Sequence, residues 1–126
     1  MASCALGSRK PAYATALGKA ILAYTDQSQL DNILSEIDFD SLTSNTITSV
    51  GKLREDLNVT RKRGYSIDIK EHMQNTICCG APLFDFTGHV IAACSLSDVH
   101  EGPVDAMGEE LKQVALTISR SLGYNG

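Results

Sequence analysis

Residues 65–97, YSIDIKEHMQNTICCGAPLFDFTGHVIAACSLS, decide the fold of this 126-residue chain. They contain two long runs of apolar and small residues, Thr76–Phe84 and His89–Leu96, which the tetrapeptide DFTG at 85–88 separates. Two such runs around a turn that contains Asp and Gly are typical of a β-hairpin whose strands are buried. The stretch therefore predicts a hairpin at the centre of the fold.

A third strand is predicted just before the hairpin, over Tyr65–Ile69, where large apolar side chains alternate with Ser66 and Asp68. Small polar or thiol side chains also interrupt the hairpin strands. They are Cys78, Cys79, Cys94, Ser95 and Ser97. Since a sheet with an entirely dry core would carry Val, Ile and Leu at such positions, we interpret one face of this sheet as the wall of a small-molecule pocket.

Helical patterns flank the strands. The sequence predicts helices over Thr15–Tyr24, about 26–37, about 52–63 and from Pro103 to Leu122. The apolar spacing predicts that each helix turns a set of side chains inward. These are Leu17, Ala20, Ile21 and Tyr24 in the first helix, Leu30, Ile33, Leu34 and Ile37 in the second, Leu53, Leu57 and Thr60 in the third, and Val104, Met107, Leu111, Val114, Ala115, Ile118 and Leu122 in the last.

The order of these elements indicates the fold class. Helices precede the strands, one helix follows them, and the two kinds of element do not alternate, which is typical of an α+β fold with a mostly antiparallel sheet flanked by helices. The hydroxyl-rich stretch Ser41–Ser49 predicts a loop or a short edge segment. Because three strands are few for four helices, we also expect that Leu6 or Ile47 lies in a further strand, or that part of the sheet is missing from this chain.

Composition limits the class of protein. The length suits one domain, residues 1–126, and the net charge of −4 argues against nucleic-acid binding by this chain alone, because contact with phosphates needs a positive face. The sequence has no run of eighteen apolar residues and no signal-peptide core at its start, so we expect a cytoplasmic protein without membrane contact. The four cysteines fit neither a disulfide framework nor CxxC pairs, which predicts free thiols, with no metal and no cofactor.

Several local patterns occur in the order of one known family. They are GSRKPAYATALGKAILAY (7–24), TITS (46–49), RKRGYSIDIKEH (61–72), ICCGAPLFDFTGHVIAACSLS (77–97) and the closing amphipathic helix. Together they resemble, from about Gly7 to Gly123, the C-terminal effector-binding domain of IclR-type bacterial transcriptional regulators. The resemblance implies a GAF-like domain that senses a small metabolite within a homodimer or homotetramer, where a winged helix-turn-helix domain binds DNA. We expect this chain to lack that DNA-binding domain and the first strands of the effector domain.

The start of the first long helix is a candidate anion site. Ala16 and Leu17 lie in its opening turn, where backbone N–H groups lack helical partners and the helix dipole favours an anion. The resemblance implies that these two amides hold an effector carboxylate. From the residues alone, a helix start that is capped by Thr15 and water remains the alternative.

Four side chains complete the predicted site. The resemblance implies that Asp68, Cys78, Ser95 and Ser97 contact the effector, and the two serines share a face because they are two residues apart on one strand. With the helix start they would form a polar cup for a keto- or hydroxy-acid. Without the resemblance, Asp68 could equally face solvent, and the others could be ordinary small core residues.

Two further positions give a hint of the ligand. Lys10 and Thr76 fall where the resemblance implies apolar pocket-lining residues, yet both are polar. A more hydroxylated or anionic effector, such as a sugar acid or a dicarboxylate, would suit them.

Other functions remain open from the residues alone. His72 with the cysteines could bind zinc, although the spacing matches no closed zinc motif. Cys78 as nucleophile, His72 as base and Asp68 as orienting group would make a small cysteine-dependent enzyme. A dimerisation module without a ligand is the third possibility. The sequence favours a ligand-sensing domain without catalytic activity.

Overall fold

The computed structural model describes residues 11–73, 76–98 and 103–126. A short 3₁₀ helix, Ala12–Ala14, is followed by α1 (Ala16–Ala23), α2 (Gln27–Glu36), α3 (Val50–Arg63), β1 (Ser66–Ile69), β2 (Ile77–Phe84), β3 (Val90–Asp98) and α4 (Val104–Ser121). The α+β class is confirmed, and each predicted strand begins or ends within two residues of its observed bounds. Among the described residues, no helix is both long and apolar enough to cross a membrane.

The three strands form an antiparallel sheet in the order β1-β2-β3. The turn between β2 and β3 forms as its sequence predicts. The Asp85 carboxylate accepts a hydrogen bond from the Thr87 N–H at 2.8 Å, and Gly88 adopts a φ of 83°, which glycine permits without strain. The register of the hairpin is set by this turn together with a shift of one residue between Leu83 and Phe84.

Helix α4 covers one side of the sheet, which we call the apolar face. Cys79 and Ala81 of β2 are buried there against Leu111 and Ala115 of α4. Close approach depends on Gly108, because a Cβ atom at that position would lie 2.3 Å from the Tyr65 ring. The apolar face therefore packs as an ordinary helix-on-sheet layer.

Helix α1 covers the opposite side, which we call the polar face. It crosses the sheet at Gly80, where an added Cβ atom would lie 2.4 Å from the Ala16 carbonyl oxygen. Beyond the sheet, α1 joins α2 and α3 in a second apolar core. That core contains Tyr13, Ala14, Leu22, Ala23, Leu30, Leu34, Leu53 and Leu57.

The predicted inward face of the first helix is only partly right, since Ala20 is buried as expected but two of its larger members are exposed. Leu17 and Ile21 are 42% and 38% exposed, whereas Ala16 and Lys19 are buried. The helix lies so close to Gly80 that only small side chains fit at the contact, and Lys19 finds acidic partners inside. A spacing rule that counts only apolar residues therefore places part of the inward face of such a helix on the wrong side.

Other inward positions are only partly as predicted. Leu53, Leu57 and Thr60 of α3 are buried, as are the residues Leu30, Leu34, Leu111 and Ala115. Ile33, Val114, Ile118 and Leu122 are exposed. Three strands are narrower than the apolar stripe of α4, so the flank of that helix extends past the sheet.

The prediction of a further strand is wrong for Ile47. This residue lies in a loop and packs, half-buried, against the core of α1–α3. Leu6, the other candidate, lies outside the described residues.

Candidate functional site

Three predicted site residues lie side by side on the sheet. The register places Cys78 of β2 opposite Asp68 of β1 and opposite Ser97 of β3. Residues directly opposite each other in antiparallel strands project from the same face, so the three side chains form a row across all three strands. We call Asp68, Cys78 and Ser97 the polar row. Its Cys78 Sγ and Ser97 Oγ atoms are 3.0 Å apart.

The start of α1 lies next to this row. Two residues further along β2, on the same face, Gly80 lies opposite Ser66 on one side and Ser95 on the other. The Ala16 carbonyl sits directly over Gly80, and the Ser66 hydroxyl donates a hydrogen bond to it at 2.5 Å. Ser95, which is exposed, therefore borders the opening turn of α1 on the same face as Ser97.

The first turn of α1 is capped in part. Thr15 is extended, and its Oγ1 atom accepts a hydrogen bond from the Gly18 N–H at 3.2 Å. The alternative of a Thr15 cap is thus confirmed, but it accounts for a single N–H group. The N–H groups of Ala16 and Leu17 have no acceptor within the helix, because an α-helix leaves its first donors unpaired.

Asp68 faces the interior and not the solvent. The residue is 3% exposed, and its Oδ1 atom accepts a hydrogen bond from the Glu71 N–H at 2.8 Å. Burial raises the pKa of this carboxyl, while the Glu71 and His72 amides and the Lys19 ammonium oppose that rise. A carboxyl in such surroundings can accept a hydrogen bond from a ligand hydroxyl or, once protonated, donate one.

The neighbouring cysteines lie in different environments. Cys78 is half-buried on the polar face, and burial raises the pKa of its thiol, which disfavours the thiolate that a nucleophile needs. Cys79 is buried on the apolar face, where burial raises the pKa of its thiol to about 11. Within residues 11–73, 76–98 and 103–126, no three His, Cys, Asp or Glu side chains are arranged to hold a metal ion.

The structure describes only one of the two polar positions, Thr76 and Lys10, that were predicted to line the pocket. Thr76 is buried just before β2, two residues from Cys78, and its carbonyl accepts a hydrogen bond from the Lys70 N–H at 3.0 Å. It therefore closes the turn between β1 and β2 at one end of the polar row. Lys10 lies outside the described residues.

A buried cluster of charged residues lies beside the polar row, and the sequence patterns do not predict it. The Lys19 side chain is fully buried, and its Nζ atom lies 2.9 Å from Glu71 Oε1 and 3.0 Å from Asp56 Oδ2. The Asp56 oxygen is an ion-pair partner only, since it lies off the direction of a hydrogen bond. Burial raises the pKa of Glu71 to about 7, although Lys19 opposes the rise.

The loop at 41–49, predicted from its hydroxyl content, holds the same region from outside. The Thr43 hydroxyl donates to the Lys70 carbonyl, and the Thr46 hydroxyl donates to the Glu71 carbonyl at 2.5 Å. Asn45 Nδ2 donates to the Ile69 carbonyl at 3.1 Å. These bonds support a turn in which Lys70 has a φ of 57°, a conformation that is uncommon for residues other than glycine.

Comparison with known proteins identifies the family. The family model described as "Bacterial transcriptional regulator IclR C-terminal" matches residues 1–120. The chain belongs to the IclR C-terminal domain family. The resemblance of the sequence motifs is thereby confirmed.

The relatives of this IclR-type domain are longer than the chain. The Escherichia coli HTH-type transcriptional regulator XynR is 35% identical over 94% of this chain and 49% of its own length. The crystal structure of the C-terminal domain of E. coli KdgR has a TM-score of 0.86 and 34% identity, over 94% of this chain and 74% of that one. The Thermotoga maritima IclR structure has a TM-score of 0.89 and 38% identity, over 98% and 51% respectively. The chain spans about half the length of the curated relatives it matches.

Proposed function

We propose that this IclR-type domain binds a small metabolite carboxylate and that binding modulates DNA binding by a separate helix-turn-helix domain. The observation that carries the proposal is the position of the polar row beside the first turn of α1. Anion-binding backbone groups and ligand-reading side chains are both needed to recognise a hydroxylated or keto acid. On this face the polar row lies two residues along β2 from Gly80, where α1 contacts the sheet.

The proposed contacts follow from the chemistry of each group. The Ala16 and Leu17 amides would donate to the effector carboxylate, where the positive end of the helix dipole favours a negative charge. Ser97, Ser95 and Cys78 would pair with a keto or hydroxyl oxygen. Asp68 would accept a hydrogen bond from an effector hydroxyl. Charged hydrogen bonds contribute about 1.5–3 kcal/mol each and neutral ones about 1 kcal/mol.

The polarity of Thr76 and Lys10 supports a ligand with several oxygens. A sugar acid or a dicarboxylate would use more donors than pyruvate or glyoxylate does. Among monocarboxylates, we expect the ranking of affinities to follow the number of hydroxyl groups that can reach the polar row.

The regulatory half of the proposal is supported by the relatives, which are named as transcriptional regulators and extend well beyond the match. In a bacterial cytoplasmic homodimer or homotetramer, an effector acts by preferring one arrangement of the domains over another. Such coupling typically amounts to about 1–3 kcal/mol. No catalytic step is part of this function, and the raised pKa of Cys78 argues against the cysteine-enzyme alternative.

A dimerisation module is the second candidate. It is favoured by the exposed apolar side chains on the outer flank of α4, at Val114, Ile118 and Leu122. Dimerisation and effector binding are compatible, so only the absence of a ligand response would make the module the better description.

A thermal-shift screen with pyruvate, glyoxylate, gluconate and tartrate tests the proposal. We expect at least one acid to raise the melting temperature in a saturable way. Asp68→Asn and Ser97→Ala should each weaken that response about tenfold. Ser121→Ala, which removes an exposed hydroxyl bonded only within α4, should leave it unchanged.

Three results would contradict the sensing function. A wild-type chain that responds to none of the acids, yet associates as its concentration rises, would be a dimerisation module. Turnover that is lost in Cys78→Ser would indicate an enzyme. A response that survives both Asp68→Asn and Ser97→Ala would place the ligand elsewhere on the domain.

A further inference from the structure

The Lys19 ammonium is an unusual group to find at the centre of a domain of this size. It is fully buried, and an ammonium taken out of water costs several kcal/mol unless its protons find acceptors. The ammonium has three partners on three elements, two that accept hydrogen bonds and one that forms an ion pair only. These are the Ile67 carbonyl of β1 at 2.5 Å, the Glu71 carboxylate in the turn after β1 and the Asp56 carboxylate of α3.

The partners of Lys19 surround one member of the polar row. The carbonyl of Ile67, the residue before Asp68, accepts a hydrogen bond from Lys19. The N–H group of Ile69, the residue after Asp68, donates to Glu71 Oε2 at 3.3 Å. Both peptide groups that flank Asp68 are therefore bound to the Lys19–Glu71 pair. The Glu71 backbone N–H also donates to the Asp68 side chain itself.

The same lysine lies on the helix whose first turn borders the polar row. Lys19 follows Ala16 by three residues, about one helical turn, so the contact with β1 lies one turn below the helix start. We propose, on the basis of the proposed function, that Lys19 is a positioning residue that sets the distance between the Ala16 and Leu17 amides and the Asp68 carboxylate. The two halves of the effector site are on separate elements, and Lys19 joins them through direct bonds.

Stability alone gives little reason for this arrangement. A buried ion pair is commonly no more stabilising than apolar residues of the same volume, whereas removal of one partner alone leaves a buried charge and costs about 3–5 kcal/mol. Replacement of both partners separates the two roles. Lys19→Met with Glu71→Gln removes the ammonium and its buried carboxylate partner together and keeps the volume of both side chains, while Asp56, which is 29% exposed, keeps its contact with water.

The first test measures affinity and stability of the Lys19→Met/Glu71→Gln double variant. We expect a melting temperature close to that of the wild type and an affinity for the best-binding acid of the screen that is about tenfold weaker. Lys112→Met is the matched control. That lysine also bonds a backbone carbonyl, of Arg63 at 3.2 Å, but lies away from the polar row, so its loss should not change affinity.

The second test needs no ligand. Amide hydrogen exchange, read residue by residue by NMR, should become faster at Glu71 and Ile69 in the double variant. Exchange at Leu111 and Ala115, on the far side of the sheet, should stay the same. A role in global stability alone would raise the exchange rates of all these amides together.

Asp56→Asn keeps the inference testable should the double variant fail to fold. Asp56 is partly exposed, so this variant removes one anchor of Lys19 without burying a new charge, and we expect about a threefold loss of affinity. Unchanged affinity in every folded variant, with unchanged exchange at Glu71, would overturn the inference while leaving effector binding intact. A wild-type chain that binds no acid would overturn the proposed function, and the exchange experiment would still decide whether Lys19 holds Asp68 and α1 together.

Discussion

The two faces of the sheet solve the same packing problem in different ways. On the apolar face, β2 meets α4 through Cys79, Ala81, Leu111 and Ala115, and contact between hydrocarbon surfaces provides the stabilisation. On the polar face, α1 meets β2 at Gly80, and the surrounding groups are hydroxyls, carboxylates and a buried ammonium. The apolar face is stabilised by close packing of side chains, and the polar face by hydrogen bonds and ion pairs between specific atoms.

This difference separates stability from recognition. Apolar contacts are tolerant of exchange as long as volume is kept, so the apolar face can vary without changing what the domain binds. A hydrogen bond or an ion pair is lost when either partner is replaced by an apolar residue, even if the volume is kept. We therefore expect substitutions on the apolar face to change mainly the free energy of unfolding, and substitutions on the polar face to change mainly ligand affinity.

The largest effect on stability is expected from Leu111→Ala on the apolar face. Leu111 is buried, and the loss of a core leucine side chain lowers the free energy of unfolding by about 2–5 kcal/mol. Chemical denaturation measures the loss, and affinity for the effector should not change. Val114→Ala, on the exposed side of the same helix, should alter stability by less than about 0.5 kcal/mol. Equal effects of the two substitutions would mean that α4 does not pack on the sheet as described.

The pH dependence of stability is the next largest effect and belongs to the polar face. The pKa of Glu71 rises from 4.5 to about 7 on folding, so its protonation favours the folded state. This contribution is fully present below about pH 4.5 and is lost as pH rises through about 7, with a total of about 3 kcal/mol. Denaturation of the wild type between pH 5 and 8 should show the decline, and Glu71→Gln should reduce it.

The comparison with Glu71→Gln measures the contribution of this carboxyl, while Asp68, whose pKa burial also raises, is present in both proteins. A wild type whose stability rises with pH over this interval would contradict a raised pKa at Glu71.

Gly80→Ala should affect both stability and affinity. The new Cβ atom would lie 2.4 Å from the Ala16 carbonyl oxygen, so α1 must move away from the sheet. We expect a loss of about 1–3 kcal/mol in unfolding free energy, together with weaker effector binding. Gly51→Ala on α3 is the control, since its Cβ atom meets nothing within 4 Å and should stabilise the helix by about 0.5–1 kcal/mol. If Gly80→Ala bound the effector as tightly as the wild type does, the start of α1 would not be part of the effector site.

The smallest stability effect is expected from the helix caps, where two similar residues differ in position. Thr15 caps α1, and Ser49 caps α3 by accepting a bond from the Lys52 N–H at 3.3 Å. Replacing either residue with Ala should lower stability by about 1 kcal/mol. Calorimetric titration with the effector should detect a change of affinity in Thr15→Ala alone. An equal change of affinity in Ser49→Ala would contradict the proposal that the start of α1 binds the effector.

The strands could be predicted well from the sequence, whereas their exact register could not. Alternation in β1, the apolar runs of β2 and β3 and the turn at 85–88 are local signals, and a two-residue period fixes which side chains share a face. The pairing of Cys78 with Ser97 does not follow from that period alone, because the register shifts by one residue between Leu83 and Phe84 and Cys78 would otherwise lie opposite Leu96. The members of the polar row could be predicted only with the help of the family resemblance.

The ion cluster could not be predicted in this way. Lys19 and Glu71 are 52 residues apart, and a lysine within a helix is on average a solvent-exposed residue. The apolar spacing of α1 even indicates the opposite face, through Leu17 and Ile21. Helical periodicity detects buried positions from their hydrophobicity. It therefore cannot identify a charged side chain that is buried together with its charged partners.

The hydrogen bonds on the outer side of β1 also limit how the sheet can grow. An outer strand with unpaired peptide groups is a template for strands from other molecules and therefore for aggregation. At Ile67 and Ile69 those groups are already taken by Lys19 and Glu71. A foreign strand would have to displace a buried ion pair before it could add to this margin of the sheet, so the charges at the centre of the domain also protect it from unwanted self-assembly.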